Sequence, residues 1–447
     1  MAPKGIIHIV GIAGSGMCAV AEVSLACGYA VHGSDRYWDQ QTPIPVLARL
    51  EAAGCAIFPQ DGTSITAETR ALVISTAIEV DNPDLIKARS LAIPIYHRTE
   101  WLQMLIGAGP LLGVAGTSGK STVTAMVGWI LEHAGLDPFV VNGAAVSAWE
   151  GVDRSGQVRM GSQSVWVLEL DESDRSLLRF RPQHAVITNQ SADHFSYAET
   201  EALFAAFRQQ VAGTCVMGPW KPEGYKVGFA GCSFHFAGQQ YQLPLLGQHN
   251  AENAVAATVL CQCIGVAASA CATALRTFPG VRRRLERYPT AAGISVFDDF
   301  AHNPAKISAA IETVLPCGNA LTVVWRPHGY GPLRSMMHEL VAAFSRLAFT
   351  EASTARRHRL LLLPVYDVGG TATRDVQAGD LAARLRPLQV ATDCLATYDE
   401  VIALCSKAYV HAGDAVLVMG ARDPGLPALA RQIAAVHAEP LNERGME

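Results

Sequence analysis

The stretch GVAGTSGKST, residues 113–122, decides the fold. It reads as a phosphate-binding loop shortened at its start. A full loop carries a glycine five positions before the glycine of Gly-Lys-Ser, and here that position is Val114, leaving Gly116 and Gly119 as the loop glycines. The apolar run Leu111 to Ala115 predicts a buried strand before the loop, and the segment from Lys120 to Gly135 predicts a helix after it. Glycine turns before helices are common, so the glycines alone select nothing. With Lys-Ser-Thr attached they point to phosphate. Gly116, Thr117, Ser118 and Gly119 offer backbone N–H groups at a helix N-terminus, where the dipole favours negative charge. Lys120 is placed to reach outer phosphates, Ser121 to ligate Mg²⁺, and Thr122 completes the loop.

Downstream, VWVLELDESD (165–174) is a strand running into acids, and HAVITNQSADH (184–194) is a second strand ending in polar residues. Phosphoryl transfer needs carboxylates to hold Mg²⁺ against a nucleotide. Glu169 and Asp171 share one side of an extended chain. Glu169, at the end of the apolar run, is the metal-ligand candidate, and His194, at the neighbouring strand end, is placed to complete a second metal site. Asp174 reads as a solvated turn.

Upstream, GIIHIVGIAGSGMCAVAEVSLACGYAVHGSD (5–35) is a second strand–turn–helix–strand unit. Gly11, Gly14, Ser15 and Gly16 form its turn, and Asp35 follows about 20 residues later. Asp35 reads either as a ribose or uracil ligand or as a strand end. The turn is G-x-x-G-x-G, not the G-x-G-x-x-G of nicotinamide dehydrogenases, and no Asn-Lys-x-Asp marks a guanine site. Beyond FPGVRRRLERYPTAAG (278–293), read as a linker, the runs ISVFDDF, ALTVVW, RLLLLP and DAVLVMG predict a third α/β unit. The run Arg282 to Arg284 reads as a solvated face or, beside a nucleotide domain, as a phosphate contact.

The expectation is an α/β chain of three domains. Residues 1–108 form a Rossmann-like domain, 109–283 a P-loop ATPase domain with a parallel sheet, and 284–447 a second Rossmann-like domain. Half of the 447 residues are hydrophobic and 17% charged, which supplies several cores and argues against disorder. A net charge of −5 gives no basic field to draw nucleic acid or an anionic membrane. The eleven cysteines form no C-x-x-C pair, no leader is read before the first strand, and no apolar run approaches ~20 residues. A cytoplasmic chain, monomer or homodimer, is expected.

GTSGKST, ELDESDRSLL and TNQSADH together resemble the corresponding segments of the Mur ligases, ATP-dependent amide-forming enzymes of peptidoglycan precursor synthesis. HIVGIAGSGMCAVAEV, LGQHNAENAVAA, GVRRRLE and DDFAHNPAKI extend the resemblance from about residue 5 to 425, in family order. It implies binding of a UDP-sugar, ATP with Mg²⁺, and an amino acid or short peptide. It also implies that Lys120 and Ser121 hold ATP phosphates and Mg²⁺, with Glu169 and His194 as metal ligands. Asn250 and Asn253 would contact adenine, and Arg283 would reach a phosphate. Asp299 and His302 would face the nucleotide and the amino acid, and Gly11, Gly14 and Gly16 the UDP diphosphate. Activation of a carboxylate as an acyl phosphate explains why such a site gathers Mg²⁺, Lys and Arg. Residues 161–220 contain no lysine, so the chain resembles the branch that works without a carbamylated lysine. That branch adds L-alanine to UDP-N-acetylmuramate. Its pattern has tyrosine and arginine where this chain has Phe300 and Gly329, and Arg334 is a displaced substitute. DDFAH and VRRRLE resemble instead the branch that adds a recycled tripeptide, whose PRSNTM stretch is missing. The amine therefore stays open between alanine, a peptide and another amine.

Overall fold

In the computed structural model the described residues are 3–41, 44–107, 109–190, 195–228, 231–348, 358–367 and 373–438. Among them the strands fall into four sheets, and the chain divides into two compact units.

The first unit comprises residues 1–226, 232–244 and 248–281. Its first sheet contains β1 (Ile6–Val10), β2 (Ala30–Ser34), β3 (Ala56–Phe58), β4 (Thr69–Ile74) and β5 (Ile95–His97), in the order β3-β2-β1-β4-β5. All its pairings are parallel. The order reverses at β1, which places the turn at Gly11 at the topological switch point where such sheets bind ligands.

The second sheet contains β6 (Leu111–Ala115), β7 (Phe139–Val141), β8 (Val158–Arg159), β9 (Trp166–Glu169), β10 (His184–Ile187) and β11 (Cys215–Met217). Its order is β11-β10-β6-β9-β7-β8, parallel except for the short edge pair β7–β8. Fully buried β6 is central, with β9 and β10 on its flanks, so the P-loop, the acids after Glu169 and Asn189 emerge side by side. One apolar cluster runs from Ile7 through Trp101 to Trp166 and Phe207. That shared core explains why the first two expected domains make one unit: no break in burial separates them.

A third sheet, β12 (Glu223–Gly228), β13 (Gly231–Phe236) and β14 (Gln239–Leu243), with β13 and β14 antiparallel, was not foreseen. Its first strand is largely exposed and carries no apolar alternation to read.

The second unit comprises residues 227–231, 245–247 and 282–447. Its sheet holds β15 (Glu286–Pro289), β16 (Ser295–Asp299), β17 (Leu321–Trp325), β18 (Arg359–Leu362), β19 (Ala391–Cys394) and β20 (Ala415–Met419), in the order β15-β16-β20-β17-β18-β19. The stretch read as a linker thus contains an edge strand, β15, antiparallel to β16. Proline at its end fits an edge position, where a missing N–H costs no ladder bond. β19 was also unforeseen. All eleven cysteines are unpaired, and only Cys394, on the edge strand β19, is exposed.

Candidate functional site

The shortened loop closes as its residues require. Gly116 and Gly119 take φ of +129° and +80°, conformations that favour glycine. A Cβ at Gly116 would strike Thr188, and one at Gly119 would strike the Asn253 amide. The loop is tied to the end of β10. Thr117 N–H donates to the Asn189 carbonyl (3.2 Å), Ser118 N–H to Asn189 Oδ1 (3.0 Å), and the Thr188 hydroxyl to the Ser118 carbonyl (2.6 Å). Helix Lys120–His133 follows directly, with Ser121 and Thr122 buried in its first turn.

Lys120 Nζ donates to the Gly116 carbonyl (2.8 Å) and to Glu172 Oε2 (2.6 Å), with Asp171 Oδ1 at 3.8 Å. Burial pushes the Glu172 carboxyl up, and Lys120 pulls against that shift. An ammonium set among a carbonyl and two carboxylates is placed for charge-assisted contacts to phosphate. Glu169 turns the other way. Its Oε1 accepts from the Ser121 hydroxyl (3.1 Å) and its Oε2 from Gly143 N–H (2.6 Å). A hydroxyl and a carboxylate side by side are hard oxygen donors, which fits Mg²⁺ completed by water and phosphate oxygens. His194, the third expected ligand, lies outside the described residues. Among the described residues no group of three or more His, Cys, Asp or Glu gathers as a metal cluster.

Asn250 and Asn253, both buried, stand one turn apart on helix Gln248–Gln262 and hydrogen-bond each other (3.3 Å). Asn253 abuts Gly119, so this pair lies beside the loop.

The N-terminal turn is held differently. Gly11 takes φ +68°, and its N–H donates to the Ser34 carbonyl (2.8 Å). Buried Asp35 accepts from Ala13 N–H (2.9 Å) and Tyr37 N–H (3.0 Å). Both oxygens of Asp35 thus serve local backbone, and the side chain shapes the turn. Ser15 and Gly16 line a cavity of about 260 Å³ whose opposite wall holds Glu169 and Asp171. Gly11, Gly14 and Asp35 are not among its lining residues.

Among the lining residues that went unread in the sequence are Arg98 and Asn142. Arg98 pairs with Asp174 (3.0 Å). Asp174 does lie in an exposed turn, as read, but its carboxylate is engaged by Arg98. Burial raises its carboxyl, but Ser176 and Arg98 together outweigh that and hold it below the ordinary range. No local pattern announces a partner on a distant helix.

In the second unit Arg283, at φ +58°, donates to the carbonyls of Ala421 (3.0 Å) and Gly420 and lies 3.4 Å from Asp298. Its guanidinium sits 5.0 Å from the Phe300 ring centroid. Burial pushes the Asp298 carboxyl up to about 7. Asp299 accepts from Leu285 N–H and Ala301 N–H, both at 2.8 Å, and burial raises it too. His302 Nδ1 is 2.9 Å from the Phe300 carbonyl, and its ring lies 5.0 Å from that of His328. Burial, His302 and Arg422 lower His328 to about 4, so it is neutral at pH 7. Arg334 is exposed and bound to Asp375, and Gly329 takes φ +152°. Arg326, also unread in the sequence, bonds Asp423 (2.6 Å) and Tyr398 (3.3 Å) at the end of β17.

Comparison with known proteins gives this arrangement a family. Family profiles described as "Mur ligase family, catalytic domain", "Mur ligase middle domain" and "Mur ligase, glutamate ligase domain" match residues 6–109, 114–213 and 283–422. A UDP-N-acetylmuramate–L-alanine ligase of Paenarthrobacter aurescens is 32% identical, over 94% of each chain. The chain belongs to the Mur ligase family. A ligase of the same name from Sinorhizobium fredii is 30% identical, over 93% of this chain and 94% of that one. Two solved structures share the Mur ligase fold. UDP-N-acetylmuramate-alanine ligase MurC from Thermotoga maritima has a TM-score of 0.77 at 24% identity, covering 97% of this chain and 99% of that one. A murein peptide ligase from Psychrobacter arcticus has 0.62 at 20%, covering 98% and 100%. This Mur ligase is thus an ATP-dependent ligase of three α/β domains, as its motifs led one to expect. Among its described residues no helix is long and apolar enough to cross a membrane.

Proposed function

We propose that this Mur ligase joins the carboxylate of UDP-N-acetylmuramate to the amine of an amino acid, L-alanine first, in the cytoplasm. The observation that carries the reading is that Glu169, which accepts from Ser121 of the phosphate loop, lines one cavity with Ser15 and Gly16 of the N-terminal turn. A nucleotide phosphate at the loop and a sugar nucleotide at the turn would meet there. Residues 1–108 would serve the sugar nucleotide, 109–283 ATP, and 284–447 the amine.

In this reading the loop amides and Lys120 cradle the transferring phosphoryl group as its charge spreads. Ser121 and Glu169 would hold Mg²⁺, with His194 as a further ligand, and the ion would neutralise phosphate charge. Asn250 and Asn253 offer amides to adenine. The substrate carboxylate takes the γ-phosphoryl group with loss of ADP, and the amine then displaces phosphate. Neutral His328, beside His302, supplies an uncharged polar wall for that amine and does not repel it. Arg283 and Asp299 brace the start of the second unit.

Phe300 and Gly329 favour testing a second reading, in which the amine is a peptide. ADP and phosphate release is to be measured with UDP-N-acetylmuramate and a panel of single amino acids and short peptides, with products weighed by mass spectrometry. Alanine-dependent turnover supports the first reading, and peptide-only turnover replaces it with the second. Absence of ATP turnover with every pair refutes both.

A further inference from the structure

Among the described residues, the cavity beside Glu169 is lined by two carboxylates, Glu169 and Asp171, and by one cation, Arg98. Arg98 opens helix Arg98–Ile106, and its guanidinium lies against Gly16, where a Cβ would overlap it. The N-terminal turn carries no basic residue of its own, unlike the loop at Lys120. An anion entering between Gly16 and Glu169 therefore faces acids on one side and a single fixed positive charge on the other.

That charge is already engaged. Arg98 Nη2 donates to Asp174 Oδ2 at 3.0 Å, and the two side chains are only 29% and 23% exposed. Asp174 Oδ1 also accepts from Ser176 N–H (2.9 Å), which fixes the carboxylate without help from Arg98. Arg98 can thus change partner while Asp174 stays in place. A phosphate group matches the guanidinium fork as well as a carboxylate does.

We propose that Arg98 binds the diphosphate of the sugar nucleotide, and that Asp174 is a positioning residue that holds the guanidinium at the turn until the diphosphate takes it over. The inference rests on the sugar-nucleotide reading above and adds to it a residue and a competitor. Because Asp174 competes for Arg98, its removal strengthens binding.

The test is calorimetric titration of the full chain with UDP and with UDP-N-acetylmuramate. Arg98→Ala is expected to weaken both by about tenfold or more, as loss of a charge-assisted fork does, and Arg98→Lys to weaken them less. Asp174→Asn is expected to tighten both a few-fold. ADP affinity and melting temperature, measured on the same samples, report whether each variant is folded. Unchanged binding by folded Arg98→Ala overturns the inference. So does an Asp174→Asn variant that loses as much affinity as Arg98→Ala, since the pair would then be scaffolding. Wild-type chain that binds neither ligand overturns the sugar-nucleotide reading itself, whereas wild-type binding with an indifferent Arg98 overturns this inference alone.

Discussion

The two glycine turns of the first unit follow the same plan and differ in where their charge comes from. Each joins a buried strand to a helix, β1 to Ser15–Ala26 and β6 to Lys120–His133. The second turn carries its cation within the motif, because Lys120 folds back onto the Gly116 carbonyl. The first is braced by a carboxylate, Asp35, on the Ala13 N–H, and among the described residues the only cation lining its cavity is Arg98 on another helix. A turn that must stabilise charge as it moves keeps the cation in fixed covalent register. A turn that only receives charge can take one from elsewhere in the fold.

The sharpest break of this comparison is at Lys120. Lys120→Ala is expected to lower turnover by roughly 10²–10³-fold or more while leaving UDP affinity nearly intact, since only one turn loses its cation. Steady-state kinetics beside calorimetry would show it, and equal loss at both sites would end the distinction. Glu169→Gln comes next. Removing a hard anionic donor beside Ser121 should raise the Mg²⁺ concentration needed for half-maximal rate by about tenfold or more. A magnesium titration that does not move would take Glu169 out of the metal site.

Asp35→Ala probes the brace. Loss of the side-chain acceptor for two backbone N–H groups at a buried cap should cost about 1–2 kcal/mol of stability, read by denaturant unfolding, and weaken UDP only through disorder of the turn. If UDP binding vanishes while stability holds, Asp35 is a ligand after all. The smallest effect lies in the second unit. His328 is lowered to about 4 from an ordinary value near 6.5, so its neutral form is favoured by the fold. Its contribution is complete above pH 6.5 and is lost as pH falls through about 4. His328→Gln should therefore lose fewer degrees of melting temperature between pH 7 and pH 4 than wild type does.

The same contrast explains what was legible in the sequence. Lys120, Ser121 and Glu169 were readable because their chemistry lies next to continuous apolar runs that announce buried parallel strands. The core strands β1, β6, β9, β10, β16, β17, β18 and β20 were readable for the same reason. Arg98 and Asp174 were not, since each looks like an ordinary surface charge until the fold brings them together. β12 was hidden by its exposure, and β15 by the arginines and proline around it. Asp35 was visible as a residue but its capping role was not, because a strand-end acid serves equally as a ligand or a cap, and the Ala13 and Tyr37 amides it accepts from show up only in the fold.

The cysteines offer a practical consequence. Ten of the eleven thiols are buried or partly covered, and Cys394 alone is exposed, on an edge strand of the second unit. Burial and its surroundings raise the Cys394 thiol somewhat above its usual value, so conjugation should be slow but site-selective at mildly alkaline pH. A single fluorophore there would report tumbling and quenching of the second unit in the unmodified wild-type sequence, with no need to strip cysteines first.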